Sequence, residues 1–272
     1  MLGIKHDIIM KKLTGIFLIV LIALGIVSCH SNKEFSSAVF EWDKLPVRNT
    51  SSGELRKIYD GPTRSLDNFE VKAVTVDKGK DLKSYSVKNG TDELIIMKNG
   101  LLDIAVNNQK TELKEGDVMV VYQGDIIEIS NTGNSPATYF SFLFDPKGPE
   151  PENRLQAGSL PKVVKWDSLD FRENENGGRR DLMREPTTVL KELEIHATTL
   201  KAGASSHSGH NHPDEEIVLM RLGNVDETIN DLTLDIGPGS MMFLTNDDVH
   251  GVSNLHNNSM CEYYAFRWLT EE

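Results

Sequence analysis

The chain has 272 residues, and its 41 aspartates and glutamates exceed its 29 lysines and arginines to give a formal net charge of −12. A nucleic-acid binding protein needs a clustered basic surface to neutralise phosphates, so this balance argues against a nucleic-acid partner. Hydrophobic residues make up 39% of the chain and charged residues 26%, which excludes a disordered protein. Two cysteines are too few for a scaffold held together by disulfides.

The first segment, residues 1–28, predicts an export signal. Three lysines precede an apolar run at residues 13–27, which is short for a membrane-spanning helix but typical of a secretory signal. Residues 24–29 resemble the lipobox of bacterial lipoproteins. This resemblance implies cleavage before a lipidated Cys29, a polar tether at residues 29–38, and a lipid-anchored location in the bacterial cell envelope, periplasmic or at the outer membrane. An uncleaved anchor helix is the alternative.

The remainder of the chain is an internal duplication. Trp42 and Trp166 lie 124 residues apart (166 − 42), and the same spacing relates several glycines, prolines and acidic residues. A deletion changes the spacing to 123, as between Glu93 and Glu216 (216 − 93), and a later insertion restores it. Matches that keep register over most of both halves predict two homologous domains. The division is a first domain at residues 39–147, a linker at residues 148–162 and a second domain at residues 163–272.

Each half consists of short apolar segments separated by turn sequences. Residues 93–97 are followed by Asn99-Gly100, a strong hairpin signal, and the second half repeats this pattern. No long segment has a helical period, and the weak helical candidate at residues 187–193 is too short to change the class. The sequence therefore predicts an all-β protein with two tandem, jelly-roll-like barrels.

Six of the eight histidines lie in the second domain, and the first domain has none. The other two, His6 and His30, precede both domains. The residues that structure a barrel persist in both copies, whereas this set of polar residues does not. Comparison of the two copies thus separates structural residues from functional ones. Because the histidines are absent from one copy as a set, we infer that they act together in the other. Under the 123 spacing, His207, His210 and His250 correspond to Ser84, Val87 and Ile127.

The spacing of these histidines predicts a metal site. Residues two apart on a strand point the same way, so His210 and His212 present both imidazoles to one side. The turn at residues 213–214 can return Glu216 to the same pocket, and His250 arrives from a distant strand. Three imidazoles and one carboxylate suit manganese, iron, nickel or zinc. The alternative is a solvated acidic turn with scattered histidines.

Two further histidines are candidates for a place in the pocket. His207 precedes the pair by three residues and is the candidate catalytic group, as a proton shuttle or a donor to a metal ligand. The alternative for His207 is a loop histidine at the mouth of the barrel. His196 alternates with apolar residues, which favours an ordinary strand residue over a place in the pocket.

At these residues the sequence resembles the cupin superfamily. The first cupin motif combines Gly, His-x-His, Glu and Gly, and the second combines Gly, Pro-x-Gly, His and Asn. The matching residues are His210, His212, Glu216 and Gly223, then Gly239, His250 and Asn254. The departures are Gly203, one residue too far from His210, and Thr245 and Asp247, which replace the Pro and Gly of the second motif. The resemblance implies two cupins with a degenerate first copy, and metal ligands at His210, His212, Glu216 and His250.

Among such double cupins the arrangement resembles the (S)-ureidoglycine aminohydrolase group, which also has a degenerate first cupin and a manganese site in the second. That resemblance makes manganese the first choice for one divalent transition metal, with iron, nickel and zinc as the others. The group has Glu-x-His-xxx-His and a later Gln, whereas this chain has His210-x-His212-xxx-Glu216 and His250. Because the ligand order differs, the activity of that group is not transferred.

Three hypotheses for the function follow. The leading one is a metal-dependent enzyme, an isomerase or hydrolase, that acts on or binds a small oxygen-rich metabolite such as a sugar acid or a ureide, with the metal as Lewis acid. The second is an iron- or manganese-dependent dioxygenase. The third is a lipoprotein that recognises a ligand without turnover. The expected partners are a small molecule and a membrane through the lipid anchor, and a monomer and a homodimer are equally compatible with two barrels in one chain.

Overall fold

The computed structural model describes residues 36–271 apart from 153, 157, 246–247 and 256–257. The signal and lipid anchor predicted at residues 1–29 lie outside the described residues, as does Asp247 of the second motif. No helix in the described ranges has the length and apolar character needed to cross a membrane.

The described part of the chain is built from strands, and the predicted all-β class is confirmed. The strands of the first half are β1 Ala38–Phe40, β2 Arg48–Thr50, β3 Gly53–Gly61, β4 Leu66–Val76, β5 Tyr85–Ser86, β6 Asp92–Asn99, β7 Leu101–Val106, β8 Gln109–Lys114, β9 Val118–Val121, β10 Ile126–Ser130 and β11 Ala137–Pro146. Those of the second half are β12 Lys162–Val164, β13 Arg172–Asn174, β14 Gly177–Glu185, β15 Glu192–Leu200, β16 Glu215–Leu222, β17 Val225–Ile229, β18 Leu232–Ile236, β19 Met241–Leu244, β20 His250–Ser253 and β21 Cys261–Leu269. Two short 3₁₀ helices follow the first strand of each half, at Trp42–Lys44 and Trp166–Ser168.

The helix considered at residues 187–193 does not form. These residues are a bend that leads into β15, and the Thr187 hydroxyl accepts a hydrogen bond from the Leu190 amide at 2.9 Å. A threonine hydroxyl that bonds nearby backbone amides stabilises such turns in place of a helix, and the β-branched residues that follow add to this preference.

Each half pairs one seven-stranded antiparallel sheet with a smaller one. The strand orders are β12-β9-β6-β11-β4-β3-β2 and β5-β10-β7-β8 for the first half, then β1-β19-β16-β21-β15-β14-β13 and β18-β17-β20 for the second. Apolar residues from both sheets of a half pack into one core. Each half is therefore a two-sheet, jelly-roll-like barrel, as the sequence predicts.

The two halves exchange their first strands. Strand β1 pairs with β19, with Ala38 opposite Phe243, and β12 pairs with β9, with Lys162 opposite Val120. Each large sheet is completed by a strand from the other half, so a division at residues 39 and 163 does not follow sheet membership. A repeat cannot reveal this exchange, because the exchanged strands keep the same 124-residue spacing (162 − 38).

A continuous apolar core joins the two large sheets. The Phe142 and Phe266 rings lie 4.9 Å apart, and the Phe69 and Trp268 rings lie 5.1 Å apart, in a cluster that draws on both halves. Burial of one such aromatic side chain contributes about 1.5–3 kcal/mol to folding. Most of strand β21 is apolar on both faces, because Tyr264, Phe266 and Trp268 face this interface while Cys261, Tyr263 and Ala265 face the inside of the second barrel. The first half therefore supports the strands that carry the site.

Candidate metal centre

The insides of the two barrels differ. Apolar side chains, among them Val87, Ile104 and Ile127, fill the inside of the first barrel. The second barrel contains a cavity of about 370 Å³, and the residues that line it include His196 and His250. The candidate functional site therefore lies in the second barrel, where the cavity leaves room for a ligand.

Three histidines converge on one side of this cavity. The ring nitrogens of His210, His212 and His250 that are available to a metal all lie within 4.8 Å of one another. His210 lies in the loop of residues 201–214 and is joined to β20 by two backbone hydrogen bonds with His250, of 3.0 and 2.9 Å. This short bridge brings the loop histidines to the strand histidine, with the His210 and His250 rings 4.8 Å apart.

Glu216 completes the cluster from the second position of β16. Its carboxylate Oε2 lies 2.6 Å from His212 Nε2 and 3.7 Å from His250 Nε2. Burial by itself would raise the pKa of Glu216, but the hydrogen bond from His212 and the nearby charges of His212 and His250 lower that pKa to about 2. The same hydrogen bond raises the pKa of His212. Glu216 is therefore an ionised ligand candidate at neutral pH.

The orientation of two rings fits a metal. His212 Nδ1 donates to the Asp214 carbonyl at 3.0 Å, and His250 Nδ1 donates to the Asp248 carbonyl at 3.1 Å. In a neutral His250 this leaves the lone pair on Nε2, which is the tautomer needed to bind a cation. His212 Nε2 instead donates to the Glu216 carboxylate, so it would bind a cation after losing that proton. His250 Nε2 is buried and makes no hydrogen bond within the described part of the chain. An orphaned imidazole nitrogen beside a carboxylate and two other imidazoles fits a divalent transition metal.

His207 lies beside this cluster at the mouth of the cavity. Its ring is 4.2 Å from that of His210, edge to face, and the side chain is exposed. Its Nδ1 donates to the Ser208 carbonyl at 3.0 Å, so the neutral ring carries its lone pair on Nε2.

Strands β15, β21 and β16 form the wall of the cavity that continues from Glu216, and their register sets which side chains line it. Glu194, Arg267 and Glu216 lie side by side across β15, β21 and β16, and Arg267 donates to Glu194 at 2.7 Å. Two residues further along the same three strands, Ala265 on β21 lies between His196 on β15 and Val218 on β16. The small side chain of Ala265 leaves space between these two neighbours.

His196 belongs to this cavity wall, although the sequence favoured an ordinary strand residue. Its Nδ1 is buried and unpartnered among the described residues, and burial with the nearby Arg179 charge lowers the pKa of His196 to about 4. His196 is thus a neutral imidazole on the cavity. The duplication carried a signal for it and its neighbours, since His196, Arg179 and Arg267 correspond to Lys72, Leu55 and Leu143 at the 124 spacing.

Glu227 is a second residue that sequence reasoning missed. It lies on β17 opposite Val252, is fully buried, and neither carboxyl oxygen has a hydrogen-bond partner in the described ranges. Burial, with a further contribution from Glu216, raises the pKa of Glu227 to about 9. The first barrel has Ile104 at the equivalent place (227 − 123), where it is also fully buried.

No family model matches the chain, and no curated protein matches its sequence. Among solved structures, a putative glyoxylate induced protein from Pseudomonas aeruginosa superposes with a TM-score of 0.67 at 10% identity, over 87% of this chain and 90% of that one. An oxalate decarboxylase from Lactobacillus farciminis, solved as a formate complex, gives 0.67 at 11% identity, over 87% of each chain. Protein Ylba from E. coli gives 0.66 at 13% identity, over 89% of this chain and 96% of that one. These likenesses concern the fold, and the chain therefore has the cupin fold.

Proposed function

We propose that the chain is a metal-dependent cupin protein whose second barrel binds and transforms a small oxygen-rich metabolite, such as a sugar acid or a ureide. The observation that carries this proposal is the convergence of three histidine nitrogens within 4.8 Å of one another on the wall of a cavity of about 370 Å³. Binding sites for small molecules range from about 300 to 1,000 Å³, so this cavity suits a small metabolite.

The ligands for the ion are His210, His212, His250 and Glu216. Their nitrogen and oxygen donors suit one divalent transition metal, with manganese as the first choice and iron, nickel and zinc as the others. When bound, such an ion polarises an oxygen of the substrate as a Lewis acid. The ionised Glu216 and the buried position of His250 support this assignment.

The other cavity residues suit the binding and proton transfer that this function needs. His196 is neutral with an unpartnered buried Nδ1 among the described residues, so it can exchange a hydrogen bond with a hydroxyl or carboxyl group of the ligand. His207 stands exposed at the mouth, and its free Nε2 lone pair suits a group that accepts a proton from the ligand. Arg267, held by Glu194 and Asp214, is a fixed cation in the wall.

The similar solved structures support a carboxylate as part of the ligand. The Lactobacillus farciminis protein is an oxalate decarboxylase with bound formate, and the Pseudomonas aeruginosa protein is described as glyoxylate induced. All three compounds are small carboxylic acids, and a sugar acid shares that group.

The experiment that tests this function is a ligand screen on metal-loaded protein. Small carboxylates, sugar acids and ureides are added while thermal stability, product mass and oxygen consumption are measured. We expect one class to stabilise the protein and to be converted only when metal is present. The variant His210→Ala should lose both effects, whereas Val87→Ala, at the equivalent place in the first barrel, should retain them.

The outcomes of this screen separate the three hypotheses. Conversion without oxygen consumption supports an isomerase or hydrolase, and conversion with oxygen consumption supports a dioxygenase instead. Stabilisation without product identifies a recognition protein. If no compound stabilises or reacts with the metal-loaded protein, the proposed function is wrong.

We further propose that the chain is a lipoprotein anchored through Cys29 in the bacterial cell envelope. The sequence motif at residues 24–29 supports this, and an exported location suits a protein that handles an external nutrient. Growth with labelled palmitate should label the wild type and leave Cys29→Ser unlabelled. Labelling of both proteins, or of neither, would contradict the anchor.

A further inference from the structure

The acidic residue next to Glu216 is held by the first half of the chain. Glu215 is buried, and its carboxylate accepts hydrogen bonds from the Thr63 hydroxyl and the Arg64 amide, both at 2.9 Å. The amide and the hydroxyl of Ser65 donate to the same carboxylate. Four donors from residues 63–65 thus fix one side chain at the first position of β16.

This contact lies directly behind the metal ligand. Consecutive residues of a strand point to opposite faces, so Glu215 points to the first half while Glu216 points into the second barrel. Strand β16 begins here, immediately after the loop of residues 201–214 that carries His210 and His212. Because a strand end is otherwise free to fray, the hydrogen bonds to Glu215 restrict the position of the Glu216 backbone.

The first barrel has the same contact without the metal cluster. Asp92, equivalent to Glu215 (215 − 123), accepts hydrogen bonds from the Thr188 hydroxyl at 2.5 Å and from the Thr188 and Val189 amides at 2.9 and 3.1 Å. The residue that follows, Glu93, bonds to Tyr85 and Ser141 instead of histidines. The duplication therefore offers one copy of this contact beside metal ligands and one copy without them.

We propose that residues 63–65 of the first half position Glu216 for metal binding, so that the site in the second barrel depends on the degenerate half. This inference rests on the proposed metal site. A carboxylate ligand that is already held in place loses less conformational freedom when the ion binds. Removal of partners that orient a metal ligand typically costs about 10- to 100-fold in metal affinity.

The test compares matched hydroxyl deletions in the two copies. Ser65→Ala and Thr63→Val each remove one hydroxyl donor to Glu215, and Thr188→Val removes the hydroxyl donor to Asp92. Ser65→Ala also removes the hydrogen bond that the Trp268 indole donates to the Ser65 hydroxyl. Thr63→Val leaves that hydrogen bond intact, so it shows whether the loss of a donor to Glu215 is sufficient by itself. Ser65→Thr restores a hydroxyl and serves as the rescue.

Cobalt(II) is the probe, because its visible absorption reports the ligand geometry in addition to the affinity measured against a chelator. We expect Ser65→Ala and Thr63→Val to bind cobalt about 10-fold more weakly or worse, with an altered spectrum. Thr188→Val and Ser65→Thr should match the wild type in both measurements. Thermal melting of each variant shows whether the fold persists.

Two results overturn the inference, and they are distinguishable from failure of the metal site itself. If the wild type binds cobalt but Ser65→Ala and Thr63→Val bind it equally well, residues 63–65 do not position Glu216. If Thr188→Val weakens cobalt binding as much as the other two, the effect is a general loosening of the fold. If the wild type binds no cobalt, the proposed function fails together with this inference.

Discussion

We expect Glu227 to make the folded protein less stable as the pH rises, and replacing it with glutamine should remove this effect. The side chain is fully buried, and both carboxyl oxygens lack a partner within the described residues, so ionisation in place is unfavourable. Burial raises the pKa of Glu227 from 4.5 to about 9. Above pH 4.5 the unfolded chain loses this proton while the folded chain keeps it, and stability therefore falls with pH until the folded pKa is reached.

The magnitude follows from the two pKa values. Each pH unit between them costs the folded state about 1.4 kcal/mol. Because pH 7 lies about 2.5 units above the unfolded pKa, the wild type should carry a cost of about 3 kcal/mol there. Glu227→Gln has no ionisable group, so its stability relative to the wild type should rise steadily between pH 5 and pH 8.

The assay is urea unfolding followed by tryptophan fluorescence at pH 5, 6, 7 and 8, with a chelator present so that metal binding does not contribute. Glu128→Gln, on the exposed face of β10, is the matched control and should not change the pH dependence. Parallel stability profiles for the wild type and Glu227→Gln would refute the reasoning, since they would mean that Glu227 is ionised and partnered in the folded protein.

Three further predictions concern single side chains. His210→Ala and His250→Ala should lose metal while their circular dichroism and melting remain those of a folded protein, because apolar residues occupy the same places in the first half; loss of the fold would make the histidines structural. His196→Phe should fill part of the cavity, so that metal content is unchanged and ligand stabilisation is lost; retained ligand binding would remove His196 from the site. Burial raises the pKa of the Cys261 thiol to about 11, so iodoacetamide at pH 8 should label it only in denaturant, as read by peptide mass, and labelling of the native protein would contradict its burial.

Much of the fold could be predicted because its determinants are local. Alternating apolar residues and turn sequences indicate strands, and the spacing of Trp42 and Trp166 indicates two copies. The exchange of β1 and β12 could not be predicted, because a strand paired within its own half and one paired across halves have the same sequence and spacing.

Part of the candidate site could also be predicted, because it follows a local sequence motif. His210, His212 and His250 follow a motif, and the structure brings them together, while their binding of a metal stays a prediction. The direction in which His196 and Glu227 point depends on the register of strands distant in sequence, which no local pattern encodes.

The acidic run at residues 214–216 shows the limit of reading charge from sequence. It resembles a solvated turn, yet each carboxylate has its own partner in the structure. Asp214 accepts from Arg267 at 3.1 Å, Glu215 accepts from the first half, and Glu216 faces His212. Only the packing of the two halves distinguishes these three roles.

The most direct test of the metal centre is the stoichiometry and ligand set of the ion bound to the purified protein. Elemental analysis counts the ions, and X-ray absorption at the edge of the bound metal counts the imidazoles. The proposed centre predicts one divalent ion per chain with three imidazole ligands, lost from a variant in which His210, His212 and His250 are all alanine. A chain that binds no ion, or a triple variant that keeps it, would contradict the proposed centre.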